Sequence, residues 1–273
     1  MIRLGITYRQ ELDCLSDELC QLIDVLEITH GSSPAWWTGP ITRHLVRTSS
    51  GQRLSLLQPT LVQQAVTDDF LASSHSGNAM LLSVHLGYPC AIHRIGAHNF
   101  PLSPVVSEAE AVARFNESLR LVRSLYPGTL AVENLDYHEG GAYEHICTPR
   151  FISTILENNR DLGLLLDISH AEVSAVKLGG LTAQYRLQAA REYINRLPLE
   201  RLVEIHLCAP VVSGNDLADT EHAPVTEIEL ALLEELLSLP QLRVVNLEST
   251  KNELDQLRTI SEIMKHHRCS RAD

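Results

Sequence analysis

The sequence predicts a single-domain (β/α)8 TIM barrel, on three observations. Short apolar runs alternate with segments of helical spacing eight times along the chain. Its 273 residues match the roughly 250 that such a barrel takes. Five consecutive runs end in a histidine or a carboxylate, and barrel strands deliver their functional side chains at that end.

Ile2–Ile6 reads as the first strand, followed by a helix over Glu11–Ile23 with Leu12, Leu15, Leu19 and Leu22 on one face. Asp24–Ile28 is the second strand and ends at Thr29-His30-Gly31. After the loop Gly31–Pro34, Ala35–Arg47 reads as a helix with Trp36 and Trp37 near its start. Leu54–Leu57 is the third strand, stopped by Gln58-Pro59, and Thr60–Ser74 is the next helix. Met80–Val84, the fourth strand, opens into the Gly-, Pro- and His-rich segment His85–Pro104, and loops of that length are often functional. Ser107–Leu125 is the clearest helix, with Ser107 as N-cap and Glu110 completing a capping box. Leu130–Val132 is the fifth strand, its loop passes through Gly140-Gly141, and Pro149–Asn158 is a helix. Gly163–Leu166 is the sixth strand, Thr182–Asn195 a helix and Leu202–Ile205 the seventh strand. A polar loop spans Cys208–Pro224, then come helix Glu227–Leu237, strand Arg243–Leu247 and helix Asn252–Lys265. Residues 1–273 form one domain without repeat or linker, and the tail from 266 to 273 is expected to fray.

A formal net charge of -12 argues against general binding to nucleic acid or to anionic membranes. No apolar run approaches the roughly 20 residues of a membrane helix. Met1-Ile2-Arg3 leads straight into a strand without the apolar stretch of a secretory signal, and the 6 cysteines form no C-x-x-C pair. Reduced thiols in the cytoplasm are the expectation.

The residues at the strand ends carry the functional reading. Met80–Val84 runs into His85, Leu130–Val132 into Glu133-Asn134, Leu164–Leu166 into Asp167 with His170 one turn later, Leu202–Ile205 into His206, and Val244–Leu247 into Glu248. Asp219, Glu221 and His222 sit on the loop after the seventh strand. Histidine with carboxylate suits Fe, Mn, Zn or Ni, and carboxylates can bridge two ions. A lone histidine at a strand end is usually a structural hydrogen-bonder, but five consecutive strand ends of this kind make a metal site the leading hypothesis. Asn134 reads equally as a turn former and as a ligand or a residue that orients one. A solvated acidic turn is the plain alternative for the Asp219–His222 segment, where Asp219 is favoured for a site role over Glu221 and His222. Tyr8 and His30 follow the first two strands and are candidates for a substrate mouth, and Trp36-Trp37 reads as a core edge ahead of a stacking platform. Cys90 and Cys208 lie near strand ends without an evident activating pair and read as inert. No G-x-S-x-G elbow, phosphate loop or G-x-G-x-x-G is present.

Leu81–Gly87 (LLSVHLG), Ala131–Tyr137 (AVENLDY), Gly141–Glu144 (GAYE), Leu164–Ala175 (LLLDISHAEVSA) and Val203–Leu207 (VEIHL) together resemble the multinuclear non-heme iron-dependent oxidases, the family of the methanobactin-biosynthesis oxidase. The LLLDISHAEVSA block and the ENLDY…GAYE pair are the specific ones; the EIHL block alone is not. The resemblance implies a TIM barrel holding about two or three irons on histidine and carboxylate side chains. It implies oxidation by dioxygen of a residue, often cysteine, in a ribosomally made precursor peptide, which a small partner protein commonly delivers. Carried over by motif, His85, Glu133, Asp167, His170, His206, Asp219 and Glu248 are ligands or their neighbours. Two departures stand out. The family's histidine at the end of strand three has no counterpart in Leu54–Gln58, and its D-x-H element appears as Asp219-Thr220-Glu221-His222, with the histidine displaced by one. Either change implies loss or re-siting of one iron.

Two other readings compete. Glu133, Asp167, His206 and Glu248 also resemble the metal quartet of the xylose-isomerase-like sugar isomerases and epimerases, which predicts a single Mn or Zn and acid/base work by the glutamates. A barrel that has lost catalysis and serves as a binding partner is the third reading.

Overall fold

Eight strands of this chain find one another as parallel neighbours and close the sheet. The computed structural model describes residues 1–47, 53–67, 79–90, 92–95, 98–137 and 145–269, with all their side chains except those of 66–67, 92–95, 98–101 and 219–220. The barrel strands are β1 (Arg3–Thr7), β2 (Val25–Ile28), β3 (Ile41–Leu45), β4 (Ala79–His85), β7 (Leu130–Glu133), β8 (Leu162–Asp167), β9 (Leu202–Leu207) and β12 (Val244–Leu247), and β1 pairs with β12 to complete the ring. Two antiparallel hairpins stand on it: β5 (Ile92–Ile95) with β6 (His98–Pro101), and β10 (Ala209–Ser213) with β11 (Asp216–Ala223). The helices are α1 (Ser16–Leu22), α2 (Pro59–Thr67), α3 (Glu108–Leu125), α4 (Pro149–Asn158), α5 (Ile168–Leu178), α6 (Arg186–Ile194), α7 (Glu227–Leu236) and α8 (Glu253–Cys269). Among the described residues no helix is long and apolar enough to cross a membrane.

Local chemistry explains where the helices begin. Thr148 caps α4 by accepting from the Phe151 N–H, with Pro149 in the first turn where a missing N–H costs nothing. Thr226 and Glu229 cap α7 reciprocally. Ser107 accepts from the Glu110 N–H, while the Glu110 side chain pairs with Arg114. Asp167 ends β8 and caps α5 in the same residue, accepting from the His170 N–H at 2.7 Å. That cap couples the one-turn carboxylate–histidine pair to the barrel rim.

The structure corrects the third strand. Ala35–Arg47 is not a helix: it makes a turn at Ala35-Trp36 and then β3. Gly39-Pro40 lies inside the segment, and proline both lacks the helical donor and holds the preceding residue extended. The β2–β3 crossover therefore has no helix. Leu54–Leu57 is not a strand but a buried turn below the barrel rim, with Leu54, Leu56 and Leu57 at most 1% exposed. It docks on Gly87, whose φ is +99° and where a Cβ would meet Ser55 Oγ; Ser55 Oγ accepts from the Tyr88 N–H at 2.9 Å. The polar loop Cys208–Pro224 contains the β10–β11 hairpin, the segment after His85 contains the β5–β6 hairpin, and the final helix runs on to Cys269, with 270–273 outside the described residues.

Alternation along the strands sets two layers inside the barrel. His44, His206 and Glu248 lie at the C-terminal end, and the residues two positions earlier, Thr42, Glu204 and Asn246, lie one layer deeper, all buried. Beneath part of this layer Leu81, Ala131, Leu165 and Val203 form an apolar plug. Gly5 lets β1 approach closely: a Cβ there would sit 2.8 Å from Val25 Cγ1 and 2.9 Å from Asn246 Oδ1. Gly5→Ala is expected to destabilise the protein by about 1–3 kcal/mol through overpacking, measured by urea unfolding; a change inside ±0.5 kcal/mol would show that the two layers can shift apart.

Candidate metal centre

Glu133 stands at the middle of the C-terminal mouth, at the end of β7 and 1% exposed. Its Oε2 lies 2.8 Å from His85 Nε2 and 3.2 Å from His44 Nε2. Its Oε1 lies 3.6 Å from His170 Nδ1 and 3.6 Å from His206 Nδ1. Four imidazoles from four chain segments thus surround one carboxylate. Register explains the closest pair, because β4 and β7 place His85 opposite Glu133, and β8 and β9 likewise place Asp167 opposite His206.

His206 is held on both sides. Its Nε2 is 2.9 Å from Glu27 Oε2 and its Nδ1 is 3.1 Å from Glu248 Oε1. Glu27 in turn accepts from Thr7 Oγ1 at 2.8 Å and Asn246 Nδ2 at 3.0 Å. Asn134 is an orienting residue: its Oδ1 accepts from the Asp167 N–H at 2.8 Å and its Nδ2 donates to the Asp167 carbonyl at 3.0 Å. Its own carbonyl lies 2.8 Å from His170 Nδ1, which fixes the ring with Nε2 as the acceptor nitrogen. The turn-former reading of Asn134 gives way to this clamp between β7 and β8.

Burial and charge oppose each other at every group. Burial pushes the Glu133 carboxyl up, and His85 and His44 outweigh it and hold it well below the ordinary range. Glu248 behaves the same way under burial, His206 and His222. Burial pushes His206 down, but Glu248 and Glu27 carry it well above the ordinary value; His85 stays lowered because burial outweighs Glu133. Glu204, fully buried one layer below His206, is raised to about 8 by burial and then by the charge of Glu27.

A metal fits these residues. Glu27, His44 and His206 offer ligand atoms within 4.8 Å of one another, as do His44, His85 and Glu133, and as do Glu133, Asp167 and His206. The buried Glu133 Oε2 and His206 Nδ1 lie close to charged partners yet make no hydrogen bond of normal geometry. Buried polar atoms in that state are costly, and a cation shared among them would supply the missing partner. His44, Glu133 and His206 each belong to two of these groups.

Sequence-predicted residues gather here in part. His85, Glu133, Asp167, His170, His206 and Glu248 all meet at the mouth, and His222 reaches it through Glu248 Oε2 at 3.3 Å. Glu221 is exposed and joins none of the close groups among the described residues. The Asp219 side chain lies outside the described residues, as does the GAYE block. Tyr8 and His30 lie on the rim. Tyr8 OH donates to Asp13 Oδ1 at 3.0 Å beside Trp36, whose Nε1 donates to the same oxygen at 2.8 Å. His30 is lowered by burial and then by Arg47 and His44. The corrected β3 carries a histidine that Leu54–Gln58 lacks: His44, whose Nε2 lies 3.2 Å from Glu133 Oε2. Glu27 and Glu204 were also missed; the signal was an acid at inward parity inside an apolar strand, two residues before His206 in the case of Glu204.

A family model for the RiPP precursor modification enzymes MbnB/TglH/ChrH matches residues 27–271. The chain belongs to that family. This makes it a member of a group of enzymes that modify RiPP precursors, and it places the ring of histidines and carboxylates inside the matched span. No curated protein matches the chain in sequence. Similar solved structures include endonuclease IV from Thermus thermophilus, at 15% identity and a TM-score of 0.56 over 97% of this chain and 98% of that one. The 3-keto-D-glucoside 4-epimerase YcjR from E. coli, in its apo form, is 13% identical with a TM-score of 0.57 over 98% of this chain and 100% of that one. The IOLI protein with a binding zinc atom is 13% identical with a TM-score of 0.53, covering 98% and 97%. At these identities the likeness is one of fold.

Glu204 generates a pH prediction for metal-free protein. Its folded value of about 8 lies above the ordinary 4.5, so the native state holds a proton that the unfolded state releases. Its contribution to stability is lost progressively as pH rises from about 4.5 to about 8, and the dependence levels off above the folded value. Wild type should therefore lose stability relative to Glu204→Gln across that window, by about 1.4 kcal/mol per pH unit at most. Urea unfolding of chelator-treated protein measures it, and parallel pH profiles for the two proteins would remove the claim.

Proposed function

We propose that the chain is a multinuclear non-heme iron oxidase that uses dioxygen to modify a residue, such as cysteine, of a ribosomally made precursor peptide. The observation that carries this reading is the overlap of ligand groups around Glu133: three sets of potential ligands share His44, Glu133 and His206. A single-ion site needs no such overlap. His44, on β3 and 3.2 Å from Glu133 Oε2, answers the first of the two departures from the family pattern, while the displaced histidine of the Asp219–His222 segment remains. Bound there, about two or three irons would supply the redox chemistry and an open position for substrate or dioxygen.

The chain's own residues set the conditions. Glu133 and Glu248 stay ionised because the surrounding histidines offset burial. Asn134 clamps Asp167 and His170, so both ligands are held without metal. The apolar plug of Leu81, Ala131, Leu165 and Val203 lies below the site, and substrate would enter from the C-terminal mouth, where barrels of this kind carry their chemistry. Tyr8, His30 and Trp36 line that mouth on the side of β1 and β2, where they would meet the peptide. The net charge of -12 favours a peptide with basic residues near the reacting one. A small delivery protein and a cytoplasmic setting belong to the same reading.

A single-ion isomerase is the competing reading, and it draws on Glu133, Asp167 and His206 as one close group with Glu248 3.1 Å from His206. Metal analysis of protein purified without oxygen separates the two. The oxidase reading expects about two or three irons per chain, and His44→Ala and Asp167→Ala should each lower iron content with the far-UV circular dichroism unchanged. A single manganese or zinc per chain, or iron content indifferent to both substitutions, would sink it.

A further inference from the structure

Three segments converge on Cys208. β9 and β12 pair with Leu207 opposite Leu247, and the Glu248 N–H donates to the Leu207 carbonyl at 3.1 Å. Cys208 and Glu248 are the next residues on each chain, at the inward parity of His206 and Asn246. Immediately afterwards the hairpin folds back, with Ala209 opposite Ala223, which returns His222 to the same place. As a result Cys208 Sγ, a ring nitrogen of His222 and a carboxylate oxygen of Glu248 all lie within 4.8 Å of one another.

The surroundings favour a ligand role over plain packing. Cys208 is fully buried and Glu248 is 7% exposed, while the His222 side chain is 40% exposed. His222 adopts φ +44°, a left-handed backbone that a non-glycine residue holds only when its surroundings impose it. The Thr250 N–H donates to its carbonyl at 3.4 Å, tying that conformation to the end of β12. Glu248 spans two groups, with Oε1 3.1 Å from His206 Nδ1 and Oε2 3.3 Å from His222 Nδ1.

We propose that Cys208, His222 and Glu248 bind a transition-metal ion in an outer subsite, with the Cys208 sulfur as a ligand. This deepens the metal-centre reading and rests on it. The inner groups offer only nitrogen and oxygen, whereas the outer one offers sulfur, nitrogen and oxygen from three segments, a mixed set that suits iron or zinc. On binding, the S–H bond breaks, a sulfur–metal bond forms and the proton leaves to solvent; no electron is transferred. Cys208, which looked inert in the sequence for want of a partner, acquires two partners from residues 14 and 40 positions downstream.

The test uses the whole chain, stripped with a chelator and reloaded with Co2+ without oxygen. Wild type should show a sulfur-to-cobalt charge-transfer band in the near ultraviolet. Cys208→Ser and Cys208→Ala should lose it, while keeping the weaker visible bands of cobalt bound by nitrogen and oxygen. Bound cobalt without the sulfur band overturns Cys208 ligation and leaves the inner centre standing. A band that survives both substitutions also overturns it, and a chain that takes up no cobalt overturns this proposal and the metal reading together. Should the variants fail to fold, X-ray absorption on zinc-loaded wild type decides: a sulfur neighbour at about 2.3 Å supports the site, and nitrogen and oxygen neighbours alone overturn it.

Discussion

The burial of the Glu133 carboxylate at the centre of the barrel mouth is the constraint on which the rest of the structure depends. An isolated charge in that position would cost several kcal/mol, and here four imidazoles crowd round it instead. Each imidazole comes from a different segment, so the closed ring of strands has to form before any of them can help. Glu27, Asp167, Glu204 and Glu248 add further acid to the same enclosed volume. Neutral histidines alone do not balance so much negative charge. A centre of this composition can be balanced in two ways, through shared protons or through bound cations.

Rigidity is distributed unevenly over the site. The inner groups sit on barrel strands, where neighbouring backbone bonds fix each side chain to its register. Asn134 adds a side-chain clamp across β7 and β8, and the cap at Asp167 ties His170 to the first turn of α5. The outer residue His222 is carried by a hairpin that projects beyond the ring. That hairpin is anchored near its tip by the Ala183 N–H on the Asn215 carbonyl at 3.1 Å, with Lys177 3.7 Å from Asp216. A barrel of this kind keeps its inner chemistry on the scaffold and varies its outer chemistry on the loops. Cys208 lies at the joint between the two.

Absence of a helix between β2 and β3 changes the rim as well as the ring. The connection is short, and its tryptophans take up the space: Trp37 Nε1 donates to the Pro40 carbonyl at 2.9 Å, and Trp36 packs edge-on to Tyr8 with ring centroids 6.2 Å apart. The same shortening brings Ile41–Leu45 directly after the turn and so delivers His44 to the mouth. The segment whose sequence suggested a helix is therefore part of how the site is assembled.

By itself the sequence determined the barrel and six of the residues that the structure gathers at one end of it: His85, Glu133, Asp167, His170, His206 and Glu248. These were legible because an apolar run ending in a ligand-type residue is a pattern in consecutive positions, set by burial of the strand and exposure of its tip. Ile41–Leu45 escaped because Thr42, Arg43 and His44 interrupt its apolar character, whereas the non-strand Leu54–Leu57 is the more hydrophobic run. Only the tertiary structure decided that Glu27 meets His206 across 179 positions of chain, that Glu204 lies beneath it, and that Cys208, His222 and Glu248 share one corner. Those distances follow from strand order, register and a hairpin's return, and such relations between remote segments exist only once the ring has closed.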